Sequence, residues 1–164
     1  MKEYYHGKWK ELGPVHISDK DFSAMEALTP LYGPSLNLAD AKCVMNAAEA
    51  AAVERGWPMV IAIVDNAGQT VLFERLDQAQ SGSVKVAQQK AETAAAFRRP
   101  TVAFQHALEQ GGLHLRVLAM TNLLPLEGGL PLMRDGAVVG AIGVSGMQSH
   151  QDAEVAQIGA AALG

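Results

Sequence analysis

The chain has 164 residues, 49% of them apolar and 18% charged, and a formal net charge of −4. That balance excludes a disordered or fibrous chain and describes one globular domain able to bury its own core. With 13 basic against 17 acidic residues, and no basic run longer than Arg98-Arg99, there is no footprint for a phosphate backbone, so no nucleic-acid partner is expected.

Cys43 is the single cysteine. It allows no intramolecular disulfide and no cysteine-rich metal site, which favours a reducing compartment. The opening residues Met1-Lys2-Glu3-Tyr4 stay polar and lack the apolar stretch of a secretory leader. No apolar run approaches the ~20 residues that a membrane-crossing helix needs. The expectation is a cytoplasmic protein with no membrane partner.

Residues 1–34 hold three of the seven prolines (Pro14, Pro30, Pro34), all three tyrosines and no sustained period. They read as an N-terminal arm with one short helix near Phe22–Leu28. Its aromatic residues are expected to pack on something, a neighbouring subunit above all. Residues 35–164 form the domain proper.

Asn37 caps a helix in which Leu38, Ala41, Met45, Ala48 and Ala52 recur at helical spacing, and Gly56 and Pro58 stop it. Met59 to Asn66, MVIAIVDN, reads as a strand buried on both faces. Ala67-Gly68 turns the chain, and Thr70 to Asp77 returns as its hairpin partner. Ser81 or Ser83 starts a second long helix through Ala87, Ala91, Ala94 and Ala95 to Phe97. A short helix follows from Pro100-Thr101 to Gly111-Gly112, and Leu115 to Thr121 reads as a third strand. Glu127-Gly128-Gly129 is a loop. Leu132 to Arg134 and Val138 to Ser145 form a second hairpin around Asp135-Gly136, and Asp152 to Leu163 closes the chain as a helix. The expected fold is α/β (α+β), with a mostly antiparallel sheet of about five strands and helices on its faces.

Four blocks stand out together. They are Val64-Asp65-Asn66-Ala67-Gly68-Gln69 with Phe73 to Asp77; Ala87 to Ala94 leading to Phe97-Arg98-Arg99-Pro100-Thr101; Glu127-Gly128-Gly129-Leu130-Pro131-Leu132; and Asp135 to Gly146 with Asp152-Ala153-Glu154. In order and spacing they resemble the GlcG/HbpS family, which includes the C-terminal domain of PduO-type proteins. The resemblance covers about residues 36–163 and leaves out the arm. It implies a profilin-like layered fold, a homo-oligomer, and a place beside catabolic pathways. It also implies haem as a cofactor or ligand, since several members bind or degrade haem.

The individual residues carry two readings each. Asp65 suits an Asx bond that pins the turn. If Asn66 faces Gln69, then Asp65 faces Thr70 and Arg75 faces Val60, which keeps Asp65 and Arg75 apart. Arg75 shares a face with Val71 and Phe73, so it needs either a structural partner or a carboxylate ligand. Lys90 lies with Val86, Thr93 and Phe97 beside the alanine stripe, at the boundary of the core. There it either snorkels, stem buried and ammonium in water, or binds a ligand carboxylate, with Thr93 adding a hydroxyl. Gly128 and Gly129 either need positive φ or let backbone amides approach a ligand. Gly140, Gly143 and Gly146 mark bulges or close packing and match no dinucleotide fingerprint. Gly143-Val144-Ser145-Gly146-Met147 lacks the last glycine of a nucleophile elbow.

The five histidines, His6, His16, His106, His114 and His150, form no zinc pattern, so no metal site is expected. Cys43 reads as a small core residue. The expected function is that of a small-molecule-binding accessory protein, with haem or another carboxylate-bearing ligand held by Arg75, Lys90, Thr93, Glu127, Gly128 and Gly129. The alternative is an enzyme (isomerase, hydrolase or lyase) acting on a small unstable catabolic intermediate, with Glu127 as base and Lys90 as electrophile or nucleophile.

Overall fold

The computed structural model describes residues 30–164. The short helix expected near Phe22–Leu28, and most of the arm, lie outside the described residues. In chain order the elements are α1 (Leu38–Glu54), β1 (Val60–Asp65), β2 (Thr70–Arg75), α2 (Gly82–Phe97), α3 (Val102–Gln110), a 3-10 helix (Gly112–Ala119), β3 (Gly129–Arg134), β4 (Ala137–Ser145) and α4 (Ser149–Ala161).

The strands form one antiparallel sheet in the order β2-β1-β4-β3. Both hairpins join neighbours, and the crossover through the helices brings β4 against β1. Asp135 (φ 52°) and Gly136 (φ 75°) give the β3–β4 turn two left-handed residues, the type I′ geometry that matches strand twist. In the first hairpin Arg75 faces Val60 as expected. A bulge makes Val64, not Asp65, the partner of Thr70. The extra residue frees Asp65 to cap the turn. Its Oδ1 accepts from Ala67 N at 2.9 Å and Gln69 N at 2.8 Å.

Alternation along β1 divides the core. Ile61 and Ile63 join Val44, Met45, Ala48, Ile142, Val144 and Val155 beneath α1 and α4. Val60, Ala62 and Val64 meet Ala87, Ala91, Ala94 and Ala95 of α2 on the other face. The sheet is thus the middle of three layers, and small side chains set α2 close to it. Gly143 on β4 continues that logic, because a Cβ there would strike Ala87 O and Ala91 N.

Three expectations are corrected. The sheet has four strands, because residues 112–119 form a 3-10 helix in place of the strand expected at Leu115–Thr121. Gly111 (φ 65°) and Gly112 (φ 58°) turn the chain back along α3, away from the sheet. Local bonds such as His114 N to Gly111 O (3.1 Å) then satisfy the backbone. Cys43 is exposed, since the buried positions of α1 are Ala41, Val44, Met45, Ala48, Ala51 and Ala52. Lys90 is fully buried, as set out below.

Residues 30–36 return to their own sheet. Val138 N donates to Leu31 O, Gly33 N to Val138 O and Leu36 N to Val139 O. The segment thereby takes up β4 where β1 ends. No helix among the described residues is long and apolar enough to cross a membrane.

Candidate functional site

Lys90 sits on α2 at i+3 from Ala87 and i−4 from Ala94, in the middle of the stripe that faces the sheet. Its side chain is 2% exposed, which rules out snorkelling. The ammonium donates to Asp152 Oδ2 at 2.7 Å and to Val144 O at 2.9 Å. Asp152, in the first turn of α4, uses its other oxygen to accept from Met147 N at 3.1 Å. Burial is the largest influence on both groups. It pulls the Lys90 ammonium down from its ordinary value and pushes the Asp152 carboxyl up, while their mutual attraction works the other way.

The Glu127-Gly128-Gly129 segment closes over this pair. Gly128 has φ +116°, and a Cβ there would lie 2.8 Å from Lys90 Nζ and 2.9 Å from Val144 O. Only glycine fits both the dihedral and the space. Gly129 N donates to Thr101 Oγ1 at 3.0 Å, and Thr101 N donates to Gly129 O at 3.0 Å. The half-buried Glu127 adds its negative charge to the surroundings of Lys90. Its backbone N–H donates to Gln105 Oε1 at 3.1 Å. One turn along α2, Thr93 Oγ1 accepts from Leu124 N at 3.0 Å.

The structure therefore brings Lys90, Thr93, Glu127, Gly128 and Gly129 together, as one buried node that anchors residues 120–129 to α2, α3 and β4. Arg75 stands apart from it. Arg75 is exposed on the opposite edge strand, and its guanidinium donates to Ala79 O at 2.6 and 3.0 Å.

Sequence reasoning missed Asp152 and Thr101 as members of the node. A usable signal existed for Asp152: a lysine on an alanine stripe demands a carboxylate, and Asp152 opens the only helix after β4. It also missed the cleft beside the node. This cleft, of about 470 Å³, lies between the end of α2, α3 and the 3-10 helix, lined by Phe97, Arg99, Phe104, His114, Arg116, Val117 and Met120, with Ala103 and Ala107. Phe97 and Phe104 meet edge to face at 5.2 Å, and the Arg99 guanidinium lies 5.7 Å over Phe104. Met120 at this cleft precedes the loop whose Leu124 N–H donates to Thr93 Oγ1. Apolar walls with cations at the rim suit a flat apolar ligand carrying carboxylates. Among the described residues no three His, Cys, Asp or Glu side chains converge as a metal set.

Comparison with known proteins gives the family of the chain. Residues 36–161 match the family model described as haem degrading protein HbpS-like. A 15.0 kDa protein in the dhaT-dhaS intergenic region of Citrobacter freundii is 38% identical over 126 residues, which cover 75% of this chain and 88% of that protein. Protein GlcG of Escherichia coli K12 is 34% identical over 105 residues, covering 64% of this chain and 77% of GlcG. Among solved structures, a crystal structure of a PduOC–haem complex superposes with a TM-score of 0.72 at 30% identity, covering 78% of this chain and 94% of that one. The chain belongs to the HbpS-like family.

Proposed function

We propose that this protein binds haem, or a related flat apolar ligand bearing carboxylates, in the cleft between α2, α3 and the 3-10 helix. The observation that carries the reading is the lining itself: Arg99 and Arg116 accompany Phe97, Phe104, Val117 and Met120. Two guanidinium groups suit two propionates, and the apolar walls suit the macrocycle. His114 and Met120 are side chains of the kinds that ligate haem iron. The family membership and the PduOC–haem complex support the same ligand.

In this reading Lys90, Thr93, Glu127, Gly128 and Gly129 act from behind the cleft, holding the loop that supplies Met120. Arg75 lies beside the start of α2, whereas the cleft lies at its end, a helix length of about 24 Å away for sixteen residues. In this reading it holds the connection between β2 and α2 and does not touch the ligand. An accessory role beside a catabolic pathway, in a homo-oligomer, goes with the resemblance.

The test is a titration of haemin into the full-length protein, followed by its Soret band. Saturation at about one haem per chain is expected, with Arg99→Ala and Arg116→Ala each weakening binding by about tenfold. A non-saturating response, or affinities unchanged in both variants, would refute the cleft as the site.

A further inference from the structure

A second cleft, of about 460 Å³, lies where α1 ends, and it shares no lining residue with the first. Helix α1 contributes Glu49 and Val53, one turn apart on the same face. The turn into β1 contributes Trp57 and Pro58, and the chain leaving β2 contributes Leu76 and Asp77. Leu76-Asp77 ends the first of the four sequence blocks, a stretch that takes no part in the cleft proposed for haem.

The walls are fixed by the fold. Gly56, with φ +66°, ends the helix, and its N–H donates to Val53 O at 3.0 Å. Trp57 N donates to Ala52 O at 2.9 Å, and Leu76 N to Met59 O at 2.9 Å. The Trp57 and Leu76 side chains both pack on the core beneath α1. Such a cleft is formed before any ligand arrives.

Its chemistry is the inverse of the first cleft. Arg99 and Arg116 line the first, with no carboxylate; Glu49 and Asp77 line the second, with no basic residue. The ion pairs among the described residues leave Glu49 and Asp77 out. Arg55, the nearest cation in sequence, is committed to Glu154 Oε1 at 2.9 Å and Ala51 O at 2.9 Å. Its guanidinium lies 5.6 Å from the Trp57 ring, yet Arg55 does not line the cleft, so Trp57 presents to the cleft a surface that Arg55 leaves open. Glu49 instead faces a second carboxylate, Glu74, whose carboxyl is pushed up first by burial and then by the Glu49 charge. A cation placed there relieves that repulsion. Val53 is 63% exposed, so a carbon body in the cleft would also take apolar surface from water.

We infer that this cleft binds an organic cation, with an alkylammonium group at Glu49 and Asp77 and its carbon body against Trp57, Pro58 and Leu76. Carboxylates supply the charge, and an indole is the aromatic side chain that attracts ammonium groups most strongly. The inference is independent of the haem site.

The test is a titration of choline and of butylammonium chloride into the full-length protein in a Trp9→Phe background, which leaves Trp57 as the single tryptophan. Sodium chloride at equal ionic strength is the blank. A saturable change in Trp57 emission is expected, about tenfold tighter for the cation than for the matching alcohol, dimethylbutanol for choline and butanol for butylammonium. Glu49→Gln and Asp77→Asn are each expected to weaken the cation about tenfold and to leave the alcohol unchanged. Asp77 is exposed, and Glu49→Gln relieves the repulsion with Glu74, so both variants should melt no lower than the parent. No saturation by either cation, equal affinity for cation and alcohol, or unchanged affinity in both variants would overturn the proposal.

Discussion

Lys90 Nζ lies 2.7 Å from Asp152 Oδ2, with side-chain exposures of 2% and 4%. A buried ion pair of this kind stabilises little over an apolar pair of equal volume, yet losing one partner strands a charge in the core. Lys90→Met and Asp152→Leu are therefore each expected to cost about 3–5 kcal/mol in urea unfolding. The double variant should cost less than either single change, although it loses the bond from Met147 N as well. Additive costs would show that the two side chains do not act as a pair.

Gly128→Ala should destabilise the protein by about 2 kcal/mol or more, because the new Cβ meets Lys90 Nζ at 2.8 Å and Asp152 Cβ at 2.9 Å in a dihedral that alanine avoids. Gly136→Ala provides the contrast, since a Cβ there has open space and only the dihedral (φ +75°) resists it. Thermal melts of the two variants should differ, with Gly128→Ala the lower.

Thr93→Val keeps the shape of the side chain and removes the acceptor for Leu124 N, which lies 3.0 Å away. The expected cost is about 1–2 kcal/mol. If residues 120–126 are held by this bond, haemin affinity should fall in the same variant while the far-ultraviolet spectrum stays unchanged. Wild-type affinity would separate the loop from the ligand.

Glu74 on β2 has its carboxyl pushed above the ordinary value, first by burial and then by the charge of Glu49 on α1. Between the unfolded and the raised folded value, the folded chain holds a proton that the unfolded chain has released. Stability therefore falls as pH rises through that window and stays reduced above it. Glu74→Gln should raise Tm at pH 7, and the gain should disappear on acidification to about pH 4, near the unfolded carboxyl value. A gain that persists in acid would point to packing instead of charge.

Elements governed by neighbours in sequence were legible without a structure. The apolar run 59–66 with the turn at Ala67-Gly68, and the turn at Asp135-Gly136, announced two hairpins, and the alanine spacing of α1 and α2 announced helices packed closely on a sheet. The segment 112–119 misled because Leu113, Leu115, Val117 and Ala119 fall at every second position like a strand, while Gly111 and Gly112 send the chain along α3. Five of the six proposed site residues do gather in space, but as a buried anchor, and Arg75 does not join them.

The sequence by itself thus determined the α/β class and the antiparallel hairpins, because propensity, period and turn chemistry act over a few residues, while four ordered blocks of residues carried the resemblance to the family. Tertiary structure alone decided that Lys90 meets Asp152 across 62 positions, and that Phe97, Arg99, Arg116 and Met120 frame one cleft. Burial and charge pairing depend on which elements pack together, and that choice is made by the whole core at once.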